Sequence, residues 1–127
     1  MRTLVLIAVV LLPACVTVYP PDSPAAEEAP PEATGVRLGE TARLGPTNIT
    51  PLVVLEDSRC PALVRCVWAG RVRLRARIGR DAADLTLGQP HTVRGGAVTL
   101  VEVQPQRRPD NPVQPGDYRF SFRFAAG

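Results

Sequence analysis

Between Arg71 and Ile78 charged and apolar residues alternate without a fault, as Arg71-Val72-Arg73-Leu74-Arg75-Ala76-Arg77-Ile78. A helix would scatter these side chains around its axis, whereas a strand sends successive residues to opposite faces and so separates a wet side from a dry one. Tyr118-Arg119-Phe120-Ser121-Phe122-Arg123-Phe124 repeats the pattern, with all three Phe of the chain and one of its two Tyr on a single face. Between Gly35 and Gly127 the punctuation is Gly, Pro, Asp and Asn, the runs are short, and no window keeps an i, i+3, i+4 apolar pattern over three turns. The chain is therefore expected to be all-β: one small antiparallel β-sandwich or barrel-like domain of about six or seven strands. The strands are predicted near 36–44, 49–56, 66–78, 82–88, 91–94, 97–104 and 117–125.

Gly79-Arg80 stands where a two-residue hairpin turn is needed, and Gly suits the first central position of a type II′ turn. Such a turn pairs Leu74 with Leu85, Ala76 with Ala83 and Val72 with Leu87 on the inner face. Outside, it pairs Arg75 with Asp84 and Arg73 with Thr86. Polarity agrees on both faces, and a slip of one residue would invert it.

The first fifteen residues read as a targeting segment. Arg2 precedes nine unbroken apolar residues, Leu4 to Leu12, and nine fall far short of the roughly twenty that cross a bilayer as helix. The end of this segment, Leu12-Pro13-Ala14-Cys15, resembles the lipobox of bacterial lipoproteins, departing from it at Pro13. That resemblance implies a signal peptide over 1–14 and lipid on Cys15; the plain alternative is an ordinary cleaved signal with Cys15 a bystander. With Val16 next, it favours export to the outer membrane of the bacterial cell envelope, facing the periplasm. Residues 16–34 hold five Pro, four acids and no Arg, a composition that stays extended and solvated, so 15–34 is expected to be the lipidated Cys and a tether. The β domain is expected over 35–127. It carries 14 of the 15 Arg against 8 of the 12 acids, and the chain has no Lys.

With Cys15 assigned to lipid, Cys60 and Cys66 are the remaining thiols, in a compartment that oxidises them, and they are expected to form a disulfide. The spacing is not Cys-x-x-Cys, and His91 is the sole further nitrogen ligand, so neither redox catalysis nor a metal site is expected. Asp57-Ser58-Arg59-Cys60-Pro61, four residues, then Cys66-Val67-Trp68-Ala69-Gly70 resembles a block in a family of small bacterial envelope lipoproteins, and Thr99-Leu100 with Val103 and Pro105 extends the likeness. The family supplies no activity to carry over. Physically the block reads as a staple: Trp68 lying on the disulfide or on the core beneath it, and Asp57 either capping backbone N–H groups or pairing with Arg59.

Arg71, Arg73, Arg75 and Arg77 are expected to share one outer face at about 6.7 Å spacing, closer than the roughly 8 Å screening length of physiological salt. Guanidinium forks in a row suit phosphates and carboxylates, so an anionic envelope component is one candidate partner. The alternative is a solvated sheet face neutralised by Asp84, Asp81, Glu40 or Glu102. Loop 105–116, stiffened by four Pro, suits insertion into a partner cleft or, equally, serves as a variable connector. His91 and the Ser residues lack a triad context, so no enzymatic activity and no cofactor is expected, and secretion argues against a nucleic-acid partner. The expected function is a non-enzymatic, lipid-anchored binding or structural module of the envelope. A periplasmic inhibitor or accessory protein acting through loop 105–116 or 60–66 is the alternative.

Overall fold

The computed structural model of the chain describes residues 30–127. The signal peptide, Cys15 and most of the expected tether lie outside the described residues. Eight strands form two antiparallel sheets: β1 (Glu32–Val36), β2 (Ala42–Leu44), β3 (Thr47–Asp57), β4 (Val72–Ile78), β5 (Asp81–Thr86), β6 (Pro90–Val93), β7 (Gly96–Gln104) and β8 (Arg119–Ala126). One sheet runs β1-β8-β7-β6, the other β2-β3-β4-β5. The domain is a sandwich, and each sheet keeps its own edges.

Alternation does what the sequence requires. Val72, Leu74 and Ala76 of β4, with Leu85 of β5, face Val98 and Leu100 of β7 and Phe120 and Phe122 of β8, all within the buried core. Tyr118 stacks on Phe120 with ring centroids 5.5 Å apart, and Phe124 packs at the margin, half-buried. Removing each phenyl ring from water contributes about 2–3 kcal/mol, so β8 is a core strand. The β4–β5 register is the expected one, with Leu74 opposite Leu85, Ala76 opposite Ala83 and Arg75 opposite Asp84. At the turn Gly79 takes φ +61°.

Three boundaries differ from expectation. The predicted strand 36–44 is two strands in different sheets, separated by a turn at Gly39 with φ +82°. The domain also begins earlier than Gly35, inside the expected tether. Ala33 and Val36 enter the core, and the Pro30 and Pro31 carbonyls accept from Gly45 and Phe124 N–H. Proline lacks a donor but keeps its acceptor, so a Pro-rich lead-in can still dock on a sheet. Finally, β4 starts at Val72 rather than 66, because residues 58–71 form a loop.

The sandwich has two distinct ends. The chain enters at one, beside the β2–β3, β4–β5 and β6–β7 turns. The β3–β4 loop (58–71) and the β7–β8 loop (105–118) share the other, here termed the cysteine pole.

Candidate functional site

At the cysteine pole the 58–71 loop is closed by a neck. Ser58 N–H donates to the Arg71 carbonyl at 2.9 Å, and Arg71 N–H donates to Ser58 Oγ at 3.0 Å. Gly70, at φ +69°, passes so close that a Cβ there would overlap the Ser58 carbonyl. Above the neck Cys60 and Cys66 are disulfide-bonded, with Cα atoms 5.9 Å apart.

Beneath the loop lies a clamp between the sheets. Arg59 Nε and Nη2 donate to the two Asp57 carboxylate oxygens at 2.8 and 2.9 Å, and its Nη1 and Nη2 also reach the Val103 and Pro105 carbonyls. Tyr118 Oη donates to Asp57 Oδ2 at 2.8 Å, and Arg107 Nη1 to the Arg59 carbonyl at 2.7 Å. Both readings of Asp57 hold, since it also accepts from the Arg59 backbone N–H at 3.4 Å. The pair is largely withdrawn from water, with side-chain exposure of 8% for Asp57 and 16% for Arg59. Burial pushes the Asp57 carboxyl pKa up, but hydrogen bonds from Arg59 and Tyr118 outweigh it, and the net direction is below the usual carboxylate value. Burial, then the hydrogen bond to Asp57, pushes the Tyr118 phenol up to about 12.

The clamp changes the character of loop 105–116. Ala62 N–H donates to the Arg107 carbonyl, Val113 packs against the core, and Pro115–Asp117 forms a single 3-10 turn with Asp117 Oδ2 accepting from Gln114 N–H. The two loops that the sequence offered separately are one braced surface.

Apolar side chains stand out of that surface into water. Leu63 is 106% exposed, Val67 93% and Trp68 71%, with Val64 also exposed. Trp68 therefore does not lie on the core, the second of its two expected places, because the loop carries it off the end of the sandwich before β4 begins. Leu63 is the one non-glycine residue of positive φ among the described residues, at +66°. Such a backbone is costly for a branched side chain and is tolerated where the surroundings enforce it.

The Arg stripe lies on the outer face of the β2-β3-β4-β5 sheet as expected, but its charge is mostly taken up. Arg71 pairs with Glu56 at 2.8 Å and Arg75 with Asp84 at 2.9 Å. Arg73 sits between them, 4.0 Å from Glu56 and 3.6 Å from Asp84. Hydrogen bonds from Arg71 and Arg75 hold the Glu56 and Asp84 carboxyls below their ordinary pKa values, and the Asp84 contact raises that of Arg75. Of the expected neutralising acids, Asp84 serves; Glu40 instead accepts from Arg37 N–H, and Glu102 from the Gln104 amide. Glu56 was missed because bulges in the β3–β4 ladder, which bring it opposite Arg73, leave no mark in the sequence. Only Arg77 of the four makes no ion pair among the described residues.

Ser58 is at the cysteine pole and His91 lines a cleft at the other. Among the described residues no group of three or more His, Cys, Asp or Glu is placed to hold a metal. Comparison with protein families, curated proteins and solved structures finds no match to this chain.

Proposed function

We propose that the protein is a non-enzymatic, lipid-anchored binding module of the bacterial envelope, and that it docks a protein partner with its cysteine pole. The observation that carries this reading is the tip itself. Leu63, Val67 and Trp68 are held in water by a loop closed with a disulfide, a neck and a buried ion pair. Exposed apolar side chains scattered singly are ordinary, but an indole and two aliphatics concentrated on one rigid loop form the kind of anchor that fills a partner's pocket. Preorganisation lowers the entropy lost on binding. Arg65 beside the tip makes no ion pair among the described residues, so the fitting partner has an apolar cleft with a carboxylate on its rim.

Polarity favours a protein over the anchoring membrane. The chain enters at the far end, and β3, eleven residues long, spans about 36 Å. A tether running from Cys15 into that end biases the tip away from the bilayer. The alternative of an inhibitor or accessory protein acting on an envelope enzyme is a special case of this reading, with both loops contributing.

Metabolic labelling with a palmitate analogue tests the anchor: label is expected on the full chain and lost in Cys15→Ala. A photo-crosslinking residue at position 67 tests the pole in the living cell. A discrete protein adduct is expected that disappears with Trp68→Ser and does not form from position 77. Adducts of equal yield from both positions would contradict the reading.

A further inference from the structure

We infer that the cleft between the β4–β5 and β6–β7 turns, at the end where the chain enters, binds a phosphate group of the kind carried by anionic lipid headgroups. The cleft measures about 490 Å³ and is lined by Arg80, Arg94, His91, Asp81 and the threonines Thr47 and Thr92. Among the described residues its guanidinium groups are unspent. The ion pairs there engage Arg59, Arg71, Arg73, Arg75 and Arg123, and no carboxylate of the described residues pairs with Arg80 or Arg94. Asp81, the acid of the cleft, pairs with neither, and its single charge is outnumbered by the two Arg. Arg77, which makes no ion pair among the described residues, precedes Ile78 of the cleft wall on β4 but does not itself line the cleft.

Anion recognition is therefore assigned to this cleft rather than to the stripe, whose middle Glu56 and Asp84 occupy. Guanidinium forks meet tetrahedral oxyanions through paired, charge-assisted hydrogen bonds, and hydroxyls and an imidazole N–H complete such a donor set. Half-buried His91 forms one wall, so a headgroup entering from the open side would meet donors on more than one flank.

Position supplies the source. The cleft opens at the pole that Pro30 and Glu32 enter, the end turned toward lipid in the proposed anchoring. The anchor reinforces a weak headgroup contact, because a tethered domain meets headgroups at high effective concentration. The lipid source rests on that anchoring; the phosphate site does not.

The test follows backbone amide resonances of the full chain in phosphatidylcholine nanodiscs, titrated with sn-glycerol 3-phosphate at constant ionic strength and then compared in nanodiscs containing phosphatidylglycerol. Saturable shifts are expected at Gly79, Arg80, Asp81, Thr92 and Arg94. Arg80→Glu/Arg94→Glu should weaken them about tenfold or more, and Arg73→Glu/Arg75→Glu should leave them nearly unchanged. Shifts with both probes assign a general phosphate site, and shifts with phosphatidylglycerol alone assign a membrane-surface site. No saturable shift with either probe, or one that survives Arg80→Glu/Arg94→Glu in a variant whose other resonances are unmoved, overturns the inference. Failure of Cys15 to take lipid would remove the membrane source and leave the glycerol phosphate arm intact.

Discussion

Asp57, Arg59 and Tyr118 join the end of one sheet to the other through a carboxylate that has almost left water. Removing one partner of such a pair strands a buried charge, so Arg59→Ala is expected to cost about 3 kcal/mol in urea unfolding. Tyr118→Phe, which deletes one hydrogen bond to a charged acceptor, should cost about 2 kcal/mol. The pH dependence follows from the directions of the two pKa shifts. The Asp57 pKa is depressed by folding, so its contribution is present above its unfolded value near 4 and lost as pH falls through the folded one. Tyr118 is raised to about 12, so between roughly pH 10 and 12 the unfolded chain gives up a proton that the folded one keeps. Stability should fall by up to about 1.4 kcal/mol per pH unit in that window, and this slope should vanish in Tyr118→Phe. A stable Tyr118→Phe with an unchanged alkaline slope would exclude the clamp as its origin. Gly70→Ala, which forces a Cβ into the Ser58 carbonyl, should destabilise more than Gly88→Ala, whose added Cβ meets nothing within 4 Å.

At the scale of elements, alternation made β4 and β8 legible, and glycine at a tight turn together with matched polarity made the β4–β5 register legible. The loops between them were not. A disulfide across five intervening residues constrains the unfolded chain modestly, so Cys60→Ser/Cys66→Ser should cost about 2 kcal/mol while the two sheets persist. The stripe was visible as a pattern, yet its charge state depended on Glu56, whose place opposite Arg73 is set by β-bulges. Asp57 and Tyr118 are 61 residues apart, and nothing local to either announces the other. The fate of Trp68 was equally hidden, since an indole beside a disulfide reads as core until the loop is seen to overhang. If ion pairing silences the stripe, Asp84→Ala should raise the salt concentration that elutes the protein from a heparin column, by freeing Arg73 and Arg75. Unchanged elution would mean that these guanidiniums were available all along.

The whole molecule is polarised. A sandwich held by Phe120, Phe122 and Leu74 separates an entry end that holds the Arg80–Arg94 cleft from a far end that lifts apolar side chains into water. Attachment at one end and docking at the other would make the domain a spacer as well as a binder. Both proposals fail if the poles are reversed or if the tip folds back on itself. Trp68 is the only tryptophan in the chain, so its fluorescence reports on that tip alone. The deciding measurement is the quenching of this indole in the full chain held on phosphatidylcholine nanodiscs, with acrylamide in the water and, separately, with dibrominated lipid in the bilayer. Efficient quenching by acrylamide and none by the brominated chains is the expected result; an indole shielded from acrylamide, or one quenched from within the lipid, would contradict it.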